Sequence, residues 1–259
     1  MTPTVSRRTL APLLTALSIA PAWTVASASA AIPHQPPPAR PLPVAPAASR
    51  ALSNEETLTV WANPTATAPV LRSPRQGARR VGSLHLYTED GFPEVYMLLA
   101  ERRGEPGGAW VRLRIPARPN GQTGWVRRSA LGAFHETRWQ LVVNRARERM
   151  YAFWDGRLRH TAPVGVDKPS TPTPAGRFWI REKFPILDRA SGYWPDAFGT
   201  ADYSTLSEWP GGGVVGIHGP YGEPEAIPGD PSHGCIRMLT GDVAWLYRNV
   251  PVGAALRVL

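Results

Sequence analysis

The 259-residue chain holds a single cysteine, Cys235, inside the run Ser232, His233, Gly234, Cys235, Ile236, Arg237, Met238. A second histidine, His218, stands upstream, followed by Gly219 and Pro220. A lone thiol cannot close an intramolecular disulfide, so its chemistry is that of a free nucleophile or of packing. A free thiol ionises near pH 8.5 (about), and the thiolate is the reactive form, so at neutral pH it needs a base. His218, at the end of a short apolar stretch, can take that proton. No Asp or Glu adjoins His218, so a backbone carbonyl such as that of Gly219 is the candidate for fixing its tautomer. Peptide N–H groups around His233, Gly234 and Cys235 can converge on one oxygen, because Gly234 tolerates unusual dihedrals; Ser232 stands beside them. That is the composition of an oxyanion hole, and the expected reaction is acyl transfer through a thioester. Two alternatives stay open on residues alone. One is an inert packing thiol, against which the polar neighbours Ser232, His233 and Arg237 argue. The other is a zinc site on His218, His233 and Cys235, which lacks a second cysteine or the helical histidine spacing of a metallohydrolase. His135 and His160 read as surface or strand residues without a role.

These residues need a frame. Residues 214–217 read as a buried strand that ends on His218. Residues 221–231 carry Pro224, Pro228, Gly229 and Pro231 and read as a loop without regular structure. After Cys235 comes the one clear helix: Thr240 as N-cap, Asp242 in the first turn, then Val243, Leu246, Tyr247 and Val250 at helical spacing, stopped by Pro251. Residues 255–259 form a closing strand. Upstream, 139–144, 149–154 and 158–164 are strands, the last two joined through the hairpin signal Asp155, Gly156. Residues 177–180 are another. From 183 to 213 the pattern is irregular and aromatic, with Tyr193, Trp194, Phe198, Tyr203 and Trp209, which reads as a functional loop or lid.

Ahead of this domain, 57–131 is a run of short strand signals at 57–61, 70–71, 80–84, 95–99, 110–115 and 124–126, with a turn at Asn120, Gly121. Val111, Leu113 and Ile115 alternate onto one face. The class is mainly β: a small barrel, then a larger β domain with one helix. Residues 1–30 read as an export signal, with Arg7 and Arg8 before an apolar run and small residues at the cleavage site; the arginine pair is of the twin-arginine kind. Residues 31–56 read as a Pro/Ala-rich extended linker. The expected address is therefore the periplasm or the outer wall. A net charge of +9 favours anionic partners such as wall polymers; the basic residues are scattered without a nucleic-acid-binding motif, so nucleic acid is not expected as a partner.

Two resemblances follow. Ala109, Trp110, Val111 and the Gly124, Trp125, Val126 ending are similar to a bacterial SH3-like domain, a module that binds wall peptides or supports a catalytic partner. Ile217, His218, Gly219, the Pro/Gly loop, and Ser232 through Met238 resemble the signature of the L,D-transpeptidase catalytic domain of the YkuD type, across 138–259. Thr171 through Gly176 and Val250 through Gly253 fit the same family. The resemblance implies a β-sandwich-like domain in which Cys235 is the nucleophile, His218 the base and Gly219 the orienting carbonyl. It puts His233 and Gly234 at the oxyanion hole, supported by Ser232. Arg237 stands where many members have Asn and implies a substrate contact. The implied reaction cross-links peptidoglycan stem peptides between diamino acids, with no metal or organic cofactor. An L,D-carboxypeptidase of the same fold, and a non-catalytic wall-binding protein led by the SH3-like module, are the competing functions.

Overall fold

The computed structural model describes residues 49–103, 108–168, 170–208 and 210–259. The expected export signal and most of the Pro/Ala linker lie outside the described residues.

The N-terminal part is one antiparallel sheet of β1 (Ser49–Ala51), β2 (Thr59–Ala62), β3 (Pro69–Leu71), β4 (Arg80–Ser83), β5 (Tyr96–Arg102), β6 (Trp110–Arg114), β7 (Thr123–Arg127) and β8 (His135–Thr137). Its order is β4-β3-β7-β6-β5-β2-β8, with β1 laid on β5. Period-two patterning drives it: Val111 and Leu113 of β6 are buried while Arg112 between them faces solvent. Val60, Val70, Leu84, Tyr96, Leu98 and Val126 complete a core of their own. Each such side chain contributes roughly 1.5–3 kcal/mol on burial. Part of the expected linker belongs to this domain. β1 pairs Ser49 with Arg102, and Leu52 is buried in the core. Asn54 ties the following turn by accepting the N–H groups of Glu56, Thr57 and Leu58. Proline-rich composition upstream masked this change of character. The strand β8 carries no apolar alternation and was not legible either; His135 on it stacks on Trp61.

The second part contains β9 (Trp139–Asn144), β10 (Arg149–Trp154), β11 (Arg157–Asp167), β12 (Gly176–Pro185), β13 (Asp196–Tyr203), β14 (Val214–His218), β15 (Gly229–Ser232), β16 (Ile236–Met238), α1 (Thr240–Asn249) and β17 (Ala255–Val258). The sheet runs β10-β9-β17-β12-β13-β14-β16-β11-β15, and β10 also pairs with β11. The sheet therefore closes on itself, with β15 appended, where the expectation was sandwich-like. The β10–β11 turn sits on Asp155 and Gly156, both at positive φ, as a tight hairpin requires.

Three local expectations are corrected. Residues 183–185 continue β12 and 196–203 are β13, so only the remainder of 183–213 is irregular. β13 lies between β12 and β14 with every residue buried. Its small residues, Ala197, Gly199, Thr200 and Ala201, give no apolar alternation to read, as expected for a strand covered on both faces. The loop 221–231 contains β15, which pairs in parallel with β11. Thr240 is the first residue of α1 and Leu239 is its N-cap, with no side-chain cap. The rest of the helix agrees with its spacing: Val243, Leu246 and Val250 are fully buried.

The two parts share material. Val95 and Met97 of the N-terminal domain lie in the hydrophobic core of the second. The indole of Trp179 on β12 donates to the Val95 carbonyl (2.6 Å), and Phe92 stacks on Phe184 with centroids 5.1 Å apart. Arg181 is buried against Glu94, which is 1% exposed.

Candidate active site

β14 and β16 run side by side in parallel, pairing Ile217 with Ile236 and His218 with Arg237. That pairing carries the histidine at the end of one strand to the turn that precedes the other, where Cys235 sits. The apolar members of both strands, Val215, Ile217, Ile236 and Met238, are buried and fix the register. A side chain at Gly216 would find the Cys235 Sγ and the His218 Cδ2 each 3.7 Å from its Cβ, so sulfur and ring flank the same point. The N–H of Gly216 donates to Sγ (3.4 Å).

His218 is 3% exposed. Its Nδ1 lies 2.8 Å from the carbonyl of Gly219. A carbonyl only accepts, so Nδ1 carries the proton and Nε2, on the Cδ2 side, keeps its lone pair. Burial pushes the imidazolium's pKa down to about 4, the Gly219 bond opposes this, and the Arg237 charge adds to it. Burial also raises the Cys235 thiol, against the lowering influence of the Gly216 N–H and of Arg237, while Asp202 adds to the rise. Both shifts favour the uncharged forms, a thiol beside a neutral imidazole.

Gly219 has no room for a side chain: a Cβ there would overlap the carbonyl oxygen of Trp194. The segment 191–195 packs directly on it, with Tyr193 edge-on to the His218 ring (4.6 Å) and Tyr221 edge-on to Tyr193 (5.4 Å). This aromatic cover helps leave His218 only 3% exposed. Tyr221 was not singled out from the sequence. An aromatic next to Pro220 was the available signal.

The turn before Cys235 is held from both sides. Gly234 has φ +119, open to glycine and strained for other residues. Its N–H donates to Ser232 Oγ (3.1 Å) and its carbonyl accepts from Thr173 Oγ1 (2.9 Å). Ser232 and Thr173 are both buried. The expectation that the Gly234 N–H points at an oxyanion meets a different arrangement, because that donor is committed to Ser232. Gly234 and Ser232 shape the turn instead, and the Thr171 to Gly176 stretch supplies the hydroxyl that locks it. His233 lines the cleft beside Cys235. Arg237 is buried, donates to Glu223 Oε2 (2.6 Å) and lies over the Tyr221 ring. Its guanidinium is thus engaged by the loop that follows Gly219, and it also lines the cleft.

Two clefts meet at the sulfur. One, of about 550 Å³, is lined by Ser204, Leu206, Gly213, His233, Gly234 and Arg237; the other, of about 800 Å³, by Asp90, Glu182, Phe184, Ile186, Ala197 and Phe198. Cys235, His218 and Tyr193 line both. Glu182 is held by the Thr88 hydroxyl, and burial together with Asp90 pushes its carboxyl up to about 7. His160 lies outside this region, bonded to Asp242 (2.8 Å) and stacked on Trp245. Among the described residues, no three His, Cys, Asp or Glu side chains are grouped to hold a metal ion.

Residues 138–258 match the family model described as the L,D-transpeptidase catalytic domain, YkuD. L,D-transpeptidase 1 of Mycobacterium tuberculosis is 30% identical over 117 residues, which cover 40% of this chain and 44% of that protein. The chain thus spans less than half the length of that curated relative. Among solved structures, an L,D-transpeptidase from Mycobacterium smegmatis is similar at 16% identity and TM-score 0.38, covering 83% of this chain and 93% of that one. The catalytic domain of an E. faecium L,D-transpeptidase is similar at 24% identity and TM-score 0.35, covering 47% and 96%.

Proposed function

We propose that this chain, whose residues 138–258 match the L,D-transpeptidase catalytic domain model, is an exported enzyme that cross-links peptidoglycan stem peptides through a thioester on Cys235. The observation that carries the reading is geometric: the Cys235 sulfur and the His218 ring flank one point above Gly216, where two clefts converge, and His218 Nδ1 is held by the Gly219 carbonyl.

The steps follow from that geometry. A donor stem enters one cleft with the carbonyl of its third residue, a diamino acid, against Sγ. His218 Nε2 takes the thiol proton as sulfur attacks, so the thiolate is generated only when it is used. We assign the oxyanion to the amide of Cys235, since the Gly234 amide is bonded to Ser232. Collapse breaks the C–N bond, and His218 returns the proton to the departing D-alanine amine. The second cleft admits the acceptor, whose side-chain amine, deprotonated through His218, attacks the thioester and releases the sulfur as a thiol once the proton comes back. The aromatic cover over His218 favours amine over water. Arg237, held by Glu223 and Tyr221, is placed to meet an anionic part of the stem. The N-terminal domain, SH3-like by its Trp-Val strands, serves as a structural partner of the catalytic domain.

The test uses the chain beginning near residue 31 with purified disaccharide-tetrapeptide, followed by mass spectrometry, with Cys235→Ala beside it. Dimers joined through two diamino acids, absent with the variant, are the expected result. Release of D-alanine without dimers, even with excess acceptor, establishes a carboxypeptidase instead. No turnover while the stem still binds would sink the catalytic reading in favour of wall binding.

A further inference from the structure

The N-terminal sheet does more than abut the catalytic domain. The tip of its β6–β7 hairpin carries Arg118 and Asn120, and these two side chains make five hydrogen bonds to the end of β13. Arg118 donates from Nε (3.0 Å) and Nη2 (2.7 Å) to the carbonyl of Ser204. Its guanidinium lies over the ring of Tyr203. Asn120 donates from Nδ2 to Asp202 Oδ1 (2.8 Å) and to the carbonyl of Tyr203 (2.9 Å), and its Oδ1 accepts the N–H of Tyr203 (3.1 Å). A single amide thus serves both peptide groups of Tyr203, as a neighbouring strand would.

What those bonds hold is a wall of the cleft at Cys235. Ser204 and Leu206 line it, as does Gly213. The N–H of Ser204 donates to Gly213 (2.8 Å), and Ser204 Oγ accepts the N–H of Leu206 (3.2 Å). That hydroxyl also faces the turn before Cys235: a Cβ at Gly234 would lie 3.3 Å from it. The chain of contacts runs Arg118 and Asn120, then Tyr203 and Ser204, then Gly234 and the pocket. Cleft walls fixed by packed, hydrogen-bonded supports hold a substrate within the few tenths of an ångström that acyl transfer demands.

We propose that Arg118 and Asn120 are positioning residues for the reaction at Cys235, so that the N-terminal domain completes the substrate cleft of the catalytic domain. The choice of substrate rests on the transpeptidase reading; the positioning does not.

The experiment compares the wild-type chain with Arg118→Ala, Arg118→Lys and Asn120→Ala. Hydrogen exchange is read at the Ser204 and Leu206 amides, with Leu141 and Val143 on β9 as internal references. Steady-state kinetics with disaccharide-tetrapeptide and the alkylation of Cys235 by iodoacetamide are measured alongside. In both alanine variants the expected results are exchange at 204 and 206 at least tenfold faster, references within twofold, and KM raised at least fivefold with a smaller change in kcat. Alkylation by the small reagent stays within twofold, and Arg118→Lys recovers part of the KM. Unchanged exchange at 204 and 206 overturns the proposal, as does an unchanged KM. An equal rise at 141 and 143 also overturns it, since the residues would then be merely structural. Should the wild-type chain fail to turn over the tetrapeptide, the transpeptidase reading falls, and the exchange pattern together with the alkylation ratio still decides the positioning.

Discussion

At the scale of single residues, the site is defined by where protons rest. Desolvation disfavours the charged forms of both Cys235 and His218, so on the proposed reading the thiolate forms only as it is used. Alkylation by iodoacetamide, read by intact mass, is expected to be slow at pH 7 and to climb steadily above pH 9, because burial raises the thiol. A plateau already reached at pH 6–7 would mean a preformed thiolate–imidazolium pair. Removing the base in His218→Gln is expected to cost about 10²–10⁴ in the acylation rate. In the wild type that rate is expected to hold as pH falls to about 5 and to drop near 4, where the imidazole gains its proton. The sign for stability is the same: an imidazole whose pKa is depressed by folding contributes stability above its ordinary value of 6.5, lost as pH falls towards 4. Gly219→Ala would force the Trp194 carbonyl away. The expected outcome is a loss of about 1–3 kcal/mol by denaturation, typical of overpacking, together with at least a tenfold slower acylation.

At the scale of elements, the parallel β14–β16 pair brings His218 and Cys235 together, and the Thr173 hydroxyl secures the turn between β15 and β16. Thr173→Val keeps the shape but leaves the buried Gly234 carbonyl unpaired, a cost of about 1–3 kcal/mol; acylation is expected to fall while the far hairpin β10–β11 keeps its exchange protection. Much of this was legible in the residues. Val214 to Ile217 read as a strand because it is apolar and short, the hairpin read from Asp155 and Gly156, and the helix from Val243, Leu246 and Val250. β13 was not legible, since a strand buried on both faces and built of Ala, Gly and Thr has no period to detect. β15 hid behind Pro228 and Pro231, whose usual meaning is loop. The engagement of Gly234 N–H by Ser232 was beyond reach too, because spacing names donors without saying which acceptor they find.

At the scale of the whole molecule, the N-terminal domain and the domain that follows it are joined through a common core. Val95, Met97 and Trp179 pack in it, and Arg181 bridges to Glu94 with both side chains buried. Arg181→Met would strand the Glu94 carboxylate, at a cost of about 3–5 kcal/mol. The expected behaviour in denaturant is one transition, shifted as a whole; two separated transitions would show that the domains fold independently. The junction also carries acids whose pKa values burial raises. The carboxyl of Glu182 is pushed up to about 7 and that of Asp202 to about 8. Groups whose folded pKa is raised contribute stability below their ordinary values, and that stability is lost as pH rises through the folded values. The melting temperature is therefore expected to decline from pH 5 to pH 8, and Glu182→Gln to flatten that decline.

The desolvation that raises the Cys235 thiol also bears on its endurance. Peroxide oxidation and thiol–disulfide exchange consume the thiolate, and the free protein offers little of it. With no second cysteine in the chain to repair an oxidised sulfur by forming a disulfide, resistance to oxidants rests on how little thiolate the free protein offers.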